Sequence, residues 1–363
     1  MSNRITELEI SNFKSIKHIK MDCKRINVLI GKPNVGKSNI LEALSLFIAP
    51  YGDPNKKMLA DYLRYEKLSN LFYDQDRKNQ IVVKTNLGFA ALRFHMNGIN
   101  SYDLVMGSNI DTLNALNEGG GKSMNEMAYQ FKTLTAADSG DENVIEPLYA
   151  IVDDSSNFSV PDFNRYTTPI KNYHFKSLAE HKNPFASFLR PPFGDNLFTI
   201  LEGNPELWNE CAALFNAYGL DMLLDTEANK IEIQKKIDRR VFKVPYCLSA
   251  DTLQRFIFHI AAIETNKDSV LLFEEPENHS FPPYVGLLAE KIIENDANQF
   301  FIATHSPYLL TPFIEQCPPE DISIFIASYE NYETKIKSLN DKEIENIMET
   351  GIDLFYNVSA FQK

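Results

Sequence analysis

The first fifty residues show a pattern of apolar and polar positions that predicts strands followed by one helix. Residues 5–10 alternate, with Thr6, Leu8 and Ile10 on one face, which is typical of a half-buried strand, and a turn is expected at Ser11-Asn12. The continuous apolar run over 26–30 predicts a buried strand. After residue 38, apolar residues recur at helical spacing. The predicted order is therefore strand, loop, helix.

The middle of the chain has weaker periodicity. Helical stretches are expected over 59–71, and alternation over 81–106 predicts a β-meander. The stretch 107–145, rich in Gly, Asn, Ser and Asp, is predicted as a mobile loop or insertion. Residues 196–220 are expected to be helical. Residues 221–244 are predicted as a hairpin that sets Ile231 and Ile233 against Val241 and Phe242.

The last third alternates strands with helices. Residues 253–263 and 284–293 have helical spacing, whereas 269–273 and 299–303 are short apolar runs typical of buried strands. A strand, a short helical crossover and a second strand predict a parallel sheet. Alternation over 322–326 predicts a closing hairpin. The expected fold class is α/β, with a mixed sheet, a β-meander subdomain and an inserted helical lobe.

Three regions follow from these shifts in pattern. Residues 1–106 are predicted as an N-terminal lobe, 107–245 as an inserted, partly mobile recognition lobe, and 246–363 as a C-terminal lobe. No repeat of 20–50 residues and no long heptad run is visible.

Composition narrows the classes of protein. The chain has 363 residues, and 44% of them are hydrophobic. It contains no apolar run of the roughly 18 residues that a transmembrane helix needs, so we expect a cytoplasmic protein and no membrane partner. Its four cysteines form no CxxC pair, which argues against a disulfide framework or a zinc ribbon. The formal net charge of −13 disfavours a dedicated DNA-coating protein. Two basic clusters are interpreted as solvated surface: Lys14, Lys17, Lys20, Lys24 and Arg25, and Lys235, Lys236, Arg239, Arg240 and Lys243.

The loop between the buried strand and its helix is a complete P-loop motif. Gly31 and Gly36-Lys37-Ser38 stand at the required spacing, after a strand and at the start of a helix. Backbone N–H groups and the helix N-terminus favour phosphates, Lys37 reaches the terminal phosphates, and the Ser38 hydroxyl suits Mg²⁺. The predicted nucleotide-contacting residues of this loop are Gly31, Asn34, Val35, Gly36, Lys37, Ser38 and Asn39.

An acidic pair at a strand end supplies the expected second half of such a site. Glu274 is predicted to hold Mg²⁺, and Glu275 to orient and deprotonate the attacking water. The next strand ends in His305, which is placed to sense the γ-phosphate. We therefore expect ATP and Mg²⁺ as cofactors, with Lys37, Glu275 and His305 as catalytic residues.

Together these motifs resemble the ABC-type ATPases of the RecF, SMC and OLD (overcoming lysogenisation defect) group. The resemblance is carried by residues 10–16 (ISNFKSI), 274–282 (EEPENHSFP) and 303–307 (ATHSP), in the same order along the chain. It covers 4–48 and 245–315 well and the middle poorly.

The resemblance implies a signature segment over 248–255 in which Ser249 contacts the γ-phosphate held by a second subunit. It therefore implies a homodimer closed around two ATP molecules. Two departures stand out, because Asp251 replaces the usual glycine and Glu274 the usual Asp. A Q-loop glutamine is also implied, and Gln75 and Gln80 both fit.

Three functions remain open. The first is an ATPase switch that acts in defence against phage or plasmids. Its effector, a nuclease or toxin, is expected to be separately encoded, because about sixty residues after His305 are too few for a Toprim nuclease domain. The second is a RecF-like DNA-repair ATPase that binds DNA. The third is a regulatory scaffold ATPase that does not. A neighbouring nuclease or toxin gene favours the first, and ATP-strengthened binding to duplex DNA the second.

Overall fold

A computed structural model of the protein describes residues 3–51, 56–96, 100–118, 123–136, 145–153, 155, 157–159, 168–181 and 186–361. Its strands are β1 (Glu7–Phe13), β2 (Ile16–Asp22), β3 (Ile26–Gly31), β4 (Ile81–Thr85), β5 (Gly88–Met96), β6 (Asn100–Gly107), β7 (Leu148–Asp153), β8 (Phe158–Ser159), β9 (Ile170–Tyr173), β10 (Asp221–Asp225), β11 (Lys230–Ile237), β12 (Arg240–Pro245), β13 (Val270–Glu274), β14 (Gln299–Ala303), β15 (Ile322–Glu330) and β16 (Glu333–Ser338).

The α-helices are α1 (Lys37–Leu44), α2 (Ile110–Glu118), α3 (Met124–Ala136), α4 (Leu197–Gly203), α5 (Pro205–Asn216), α6 (Asp251–Thr265), α7 (Pro282–Glu294), α8 (Pro307–Gln316), α9 (Asp341–Thr350) and α10 (Val358–Phe361). Short 3₁₀ turns cover Ser45–Tyr51, Leu68–Leu71, Tyr73–Gln75 and Tyr246–Leu248. Among the described residues, no helix combines the length and apolar character needed to cross a membrane.

The strands form three sheets. A six-stranded mixed sheet has the order β16-β15-β3-β14-β13-β9, in which β9, β13, β14, β3 and β15 are parallel and β16 is antiparallel. A seven-stranded antiparallel sheet has the order β2-β1-β4-β5-β6-β7-β8. A three-stranded antiparallel sheet contains β10, β11 and β12.

The two larger sheets are layered with helices, because their central strands bury residues on both faces. On β13, Val270 and Leu272 belong to the core that contains α1 and the inner face of the seven-stranded sheet, whereas Leu271 and Phe273 belong to the core on the other side, with α4 to α9. Helices α2 and α3 cover the outer face of the seven-stranded sheet in a third core. Continuous apolar runs such as β3 are expected for parallel strands that are covered on both sides.

Several local predictions are wrong. The first turn falls at Lys14-Ser15 rather than Ser11-Asn12, and Thr6 is exposed outside β1. The stretch 107–145, predicted as a mobile loop or insertion, is not a loop, because it contains α2 and α3 on either side of Gly119–Gly121, a glycine run that lies outside the described residues. The core they form with the seven-stranded sheet favours helices there. Residues 59–71 form turns and one short 3₁₀ segment instead of α-helix.

The predicted hairpin over 221–244 has three strands instead of two, and its register differs. Ile233 pairs with Val244, and Val241 with Lys236, because the two-residue turn at Asp238-Arg239 joins β11 directly to β12. The β-meander over 81–106 and the closing hairpin are confirmed as β4 to β6 and as β15 with β16.

Candidate nucleotide-binding site

The topology of the six-stranded sheet brings the predicted motifs together. Strands β3, β13 and β14 are parallel neighbours, so their carboxyl ends lie at one edge of the sheet. Glu274 is in register with Ala303, and Ala303 with Leu29. The P-loop, the acidic pair and His305 each follow one of these strand ends. Ligands of open α/β sheets bind at this edge.

The P-loop leaves the N-terminus of α1 open to an anion. Gly36 precedes α1 with a φ of 97°, in the region that favours glycine, and no side chain caps the helix. No acidic residue stands in the first turn of α1. Because the first N–H groups of a helix have no partner within it, they are available to phosphate oxygens.

Contacts from distant segments fix the P-loop from behind. A Cβ atom on Gly36 would lie 2.1 Å from Thr334 Oγ1, so a larger residue does not fit. Thr334, on β16, donates a hydrogen bond from Oγ1 to the Val35 carbonyl (2.9 Å), and Ser15 Oγ lies 2.6 Å from Thr334 Oγ1. Asn39 Nδ2 donates to Ser15 Oγ at 2.7 Å. Sequence reasoning missed Ser15 and Thr334, because nothing in their local pattern marks them.

Lys37 is the cation at the centre of the site. Its ammonium group donates hydrogen bonds to the carbonyl oxygens of Gly31 (2.9 Å) and Lys32 (3.0 Å). Burial lowers the pKa of Lys37 to about 8, although the nearby carboxylates of Glu275, Glu274 and Glu277 act to raise it. A desolvated ammonium group gains from a phosphate partner, so this environment favours anion binding.

Glu275 occupies a strained position directly after β13. Its φ is 45°, a conformation that non-glycine residues seldom adopt and that is enriched at functional sites. Its N–H donates to the Ala303 carbonyl (2.8 Å), and Asn278 Nδ2 donates to its Oε2 (2.5 Å). His305 Nε2 lies 3.5 Å from Glu275 Oε1. The two predicted catalytic groups therefore face one another.

His305 is held in place by Glu277, a residue that sequence reasoning did not assign. Glu277 Oε1 accepts hydrogen bonds from Thr304 Oγ1 (2.6 Å) and from the His305 N–H (2.9 Å). Burial raises the pKa of Glu277. Burial, and then the Lys37 cation, lower the pKa of His305, while Glu275 opposes that shift. His305 is therefore neutral at pH 7.

A network of charges joins α1 to the acidic strand end. Glu42 is buried on α1 and pairs with Lys14 Nζ and with Arg64 Nε (2.8 Å). Arg64 Nη2 also lies 3.1 Å from Glu274 Oε1. Arg64 was not predicted from the sequence, and it is the residue of the 59–71 stretch that enters the site.

These groups surround a cavity of about 440 Å³. Of the predicted site residues, those that line it are Asn34, Val35, Gly36, Lys37, Ser38, Asn39, Glu275 and His305. Gly31 does not line the cavity, but its carbonyl accepts a hydrogen bond from Lys37, which does. Glu274 does not line it either, and it pairs with Arg64, which does. Gln75 and Gln80 do not line it. The volume lies within the range of small-ligand sites, and the lining combines ammonium, hydroxyl and carboxylate groups suited to a phosphorylated ligand and its cation.

The predicted signature segment lies on a separate surface of the same chain. Ser249 does not line the cavity, and its hydroxyl donates to the Tyr246 carbonyl (2.7 Å). Asp251, in the first turn of α6, accepts from Arg255 Nε at 2.6 Å. The negative charge of Asp251 is thus partly balanced one helical turn later.

A buried strand, a glycine loop that leaves a helix N-terminus open, and acids on the neighbouring strand end define a P-loop nucleotide-binding protein of the α/β class. The family model for the AAA ATPase domain matches residues 4–187, just over half of the chain. The chain belongs to the AAA ATPase domain family and is an ATPase. The predicted fold class and the predicted enzyme class are confirmed.

Two relatives are similar in sequence. An "ATP/GTP phosphatase" of Helicobacter pylori is 23% identical over 329 residues, which span 83% of this chain and 85% of the relative. An uncharacterised protein of Methanocaldococcus jannaschii is 33% identical over 98 residues, 24% of this chain and 45% of that protein.

Solved structures of SMC head domains are also similar. The SMC head bound to the C-winged helix domain of ScpA is 14% identical, with a TM-score of 0.46 over 94% of this chain and 99% of that chain. The SMC head domain of Thermotoga maritima is 14% identical, with a TM-score of 0.41 over 93% of this chain and 99% of that chain.

Proposed function

We propose that the chain binds ATP with Mg²⁺ in the cavity of about 440 Å³ and hydrolyses it there. The observation that carries the proposal is the position of Lys37 and the uncapped N-terminus of α1 in the same cavity as Glu275 and His305. One side supplies positive charge for the phosphates. The other supplies a base and a neutral imidazole where the γ-phosphate would end. This division of roles suits phosphoryl transfer, which depends mainly on positioning and electrostatics.

Each residue has one task in this proposal. The N–H groups of the P-loop and Lys37 hold the phosphates, and Ser38 with Glu274 would hold Mg²⁺, which supplies charge neutralisation when bound. Arg64 then releases the Glu274 carboxylate with which it pairs in the structure. Glu275 orients the attacking water and accepts its proton. His305, neutral at pH 7, donates a hydrogen bond to the γ-phosphate from the nitrogen that carries its proton.

The signature segment is proposed to act on a second copy of the chain. Ser249 lies outside the cavity of its own chain, so it reaches a γ-phosphate only if another subunit presents one. Two chains would then enclose two ATP molecules, and hydrolysis would release them. The protein becomes a switch whose closed state reports bound ATP.

The biological setting proposed for this switch is defence against phage or plasmids, with a separately encoded nuclease or toxin as effector. This part rests on the resemblance of residues 274–282 and 303–307 to ATPases of the OLD group. It predicts a nuclease or toxin gene beside the gene for this chain.

The experiment that tests the site is Glu275→Gln, which keeps the side-chain shape and removes the base. We expect ATP hydrolysis to fall by about 10²- to 10⁴-fold, the usual contribution of a positioned base. With Mg-ATP, light scattering should show a species of twice the 41.4 kDa chain mass. Glu290→Gln, on the exposed side of α7, is the matched control and should behave as wild type.

A second substitution separates the two parts of the proposal. Ser249→Arg added to Glu275→Gln should abolish the dimer and leave ATP binding intact, because Ser249 does not line the cavity. Wild-type hydrolysis by Glu275→Gln would show that the base is wrongly assigned. A monomer in saturating Mg-ATP would contradict the dimer alone.

A further inference from the structure

An apolar groove lies beside the signature segment, apart from the P-loop cavity. Its volume is about 550 Å³, within the range of ligand-binding grooves. The groove is bounded by the three-stranded sheet, the segment after α5, the start of α6 and the start of α7. Its floor is formed by the buried side chains of Phe215, Ile233 and Leu253, and its rim by the exposed side chains of Tyr218, Phe242, Val244, Leu248 and Phe281.

The register of β11 and β12 shows which face of the hairpin turns to the groove. Residues directly opposite one another in antiparallel strands lie on the same face. Ile233 pairs with Val244 and Lys235 with Phe242, and all four line the groove. The next pair on this face is Ile237 with Arg240, both exposed. The inner face of the hairpin therefore continues beyond the groove as apolar and basic side chains.

The outer face of the same hairpin differs, because two of its lysines have acidic partners. Lys243 Nζ lies 2.7 Å from Glu232 Oε2, and Lys236 Nζ lies 3.5 Å from Asp221 Oδ2. In the described part of the chain, Arg239 and Arg240 enter no ion pair. Unbalanced cations thus border the groove on a chain whose net charge is −13.

We propose that this groove binds an amphipathic segment of a separate protein, which places apolar side chains in the groove and aspartate or glutamate against Lys235, Arg239 and Arg240. The inference rests on the proposed function, because it assigns a docking surface to the predicted effector. A helix laid in an apolar groove is recognised through residues spaced i, i+3, i+4 and i+7. The basic rim selects an acidic segment, since opposite charges at a rim set specificity and association rate.

The groove does not suit nucleic acid or a second copy of this chain. Its floor and most of its rim are apolar, with cations only along the hairpin border, whereas nucleic-acid surfaces combine cations with hydrogen-bonding side chains throughout. A two-fold contact through the groove would bring Arg239 and Arg240 of each copy close to those of the other. Among the other exposed large apolar side chains of the described residues, Tyr129 lies on α3, Tyr308 on α8 and Met348 on α9.

The position of the groove connects docking to the ATP site. Ser249 and Phe281 both line it, so a bound segment touches the signature region and the loop that follows Glu275. Thr252 Oγ1, at the start of α6, donates to the His279 carbonyl in that loop (3.1 Å). A partner in the groove therefore contacts the signature segment, which the proposed ATP-dependent dimer uses, and the loop that follows Glu275.

The test uses a fluorescein-labelled 16-residue peptide with leucine at i, i+3, i+4 and i+7 and glutamate at most other positions. Fluorescence anisotropy with the full-length chain should show saturable binding. Phe242→Ser should weaken binding by about tenfold or more, because it removes a central apolar contact. Val241→Ser is the matched control, since Val241 is equally exposed on the opposite face and should leave binding unchanged. Arg240→Glu should weaken binding by about threefold to tenfold.

Four results would overturn the proposal. The first is the absence of saturable binding of the acidic peptide, and the second is an equal loss of peptide affinity in Phe242→Ser and Val241→Ser. The third is equal affinity for a peptide that has lysine in place of each glutamate. The fourth is that Phe242→Ser, with no peptide present, loses the ATP-dependent dimer. The last result would assign the groove to a second copy. A fifth result, tighter binding of a 20-base-pair duplex than of the peptide, would also overturn the proposal and would assign the basic rim to DNA. None depends on hydrolysis, so failure here leaves the Glu275→Gln test intact.

Discussion

The P-loop cavity and the apolar groove lie on the same chain and differ in how they are built. The cavity is polar and centred on Lys37, which belongs to one contiguous motif, and it is completed by groups that follow the ends of parallel strands. The groove is apolar and has no motif, because strand register and the ends of three helices form it. A site for a charged ligand therefore leaves a local signature in the sequence, whereas a surface for an apolar partner does not.

Lys37→Ala is expected to have the largest effect, which should be confined to ATP binding in the cavity. Removal of the ammonium group costs charge-assisted contacts to phosphate worth about 2–4 kcal/mol, so ATP affinity should fall by about 30- to 1,000-fold. Binding of the acidic peptide to the groove should not change. Calorimetry with ATP and anisotropy with the peptide measure the two effects.

The matched control is Lys32→Ala, because Lys32 is exposed on the same loop and contributes its carbonyl, not its ammonium group, to the contact with Lys37. A comparable loss of ATP affinity in Lys32→Ala would mean that general positive charge, rather than Lys37, holds the phosphates. Loss of peptide binding in Lys37→Ala would show that the two regions are not independent.

Arg64→Ala tests a part of the cavity that no sequence motif predicts, because Arg64 lines the cavity from a segment without a motif. Arg64 pairs with Glu274 at 3.1 Å and its side chain is largely exposed, so the pair is worth about 1 kcal/mol. Without this competing cation, the Mg²⁺ concentration that half-activates hydrolysis should fall by about fivefold. A magnesium titration of ATPase activity measures the shift.

Arg77→Ala provides the comparison for Arg64→Ala. The Arg77 guanidinium stacks on Phe94 at 4.1 Å from the ring centroid and does not line the cavity, so its loss should leave the magnesium requirement unchanged. An increased requirement in Arg64→Ala would place Arg64 on the phosphates instead of opposite Glu274.

The smallest expected effect is a pH dependence of the cavity that the groove does not share. The pKa of Lys37 is about 8 in the free protein, and a bound phosphate raises it. Lys37 is therefore cationic below pH 8 and loses its charge above it, so ATP affinity should decline about fourfold from pH 7 to 8.5. His305 stays neutral over this range, because its pKa is lowered.

Calorimetry in buffers of different ionisation enthalpy should show net proton uptake when ATP binds at pH 8.5. Peptide binding to the groove should show no such uptake, since arginine remains charged at that pH. ATP binding without proton uptake would mean that Lys37 is already protonated in the free protein.

Much of the ATPase sheet could be predicted from sequence. Strands β3, β13 and β14 are short apolar runs. Such a run is readily interpreted as a buried parallel strand once a glycine loop or an acidic pair follows it. The region 107–145 is harder to predict, because the glycine run between α2 and α3 indicates a loop. Strand β9 was missed because its four residues lie in an aromatic, irregular stretch, and its pairing with β13 is the interaction that defines it.

Local sequence is sufficient to predict the P-loop, the acidic strand end and His305, because each depends on neighbouring residues and on the periodicity of one strand or helix. Tertiary structure alone decided that Thr334 supports Val35, that Arg64 holds Glu274, and that Phe242 faces a groove. The first two contacts join residues some 200 to 300 positions apart, brought together by sheet order and by the fold of the chain onto that sheet. No local pattern encodes such a contact, because its energy is gained only after the whole chain has folded.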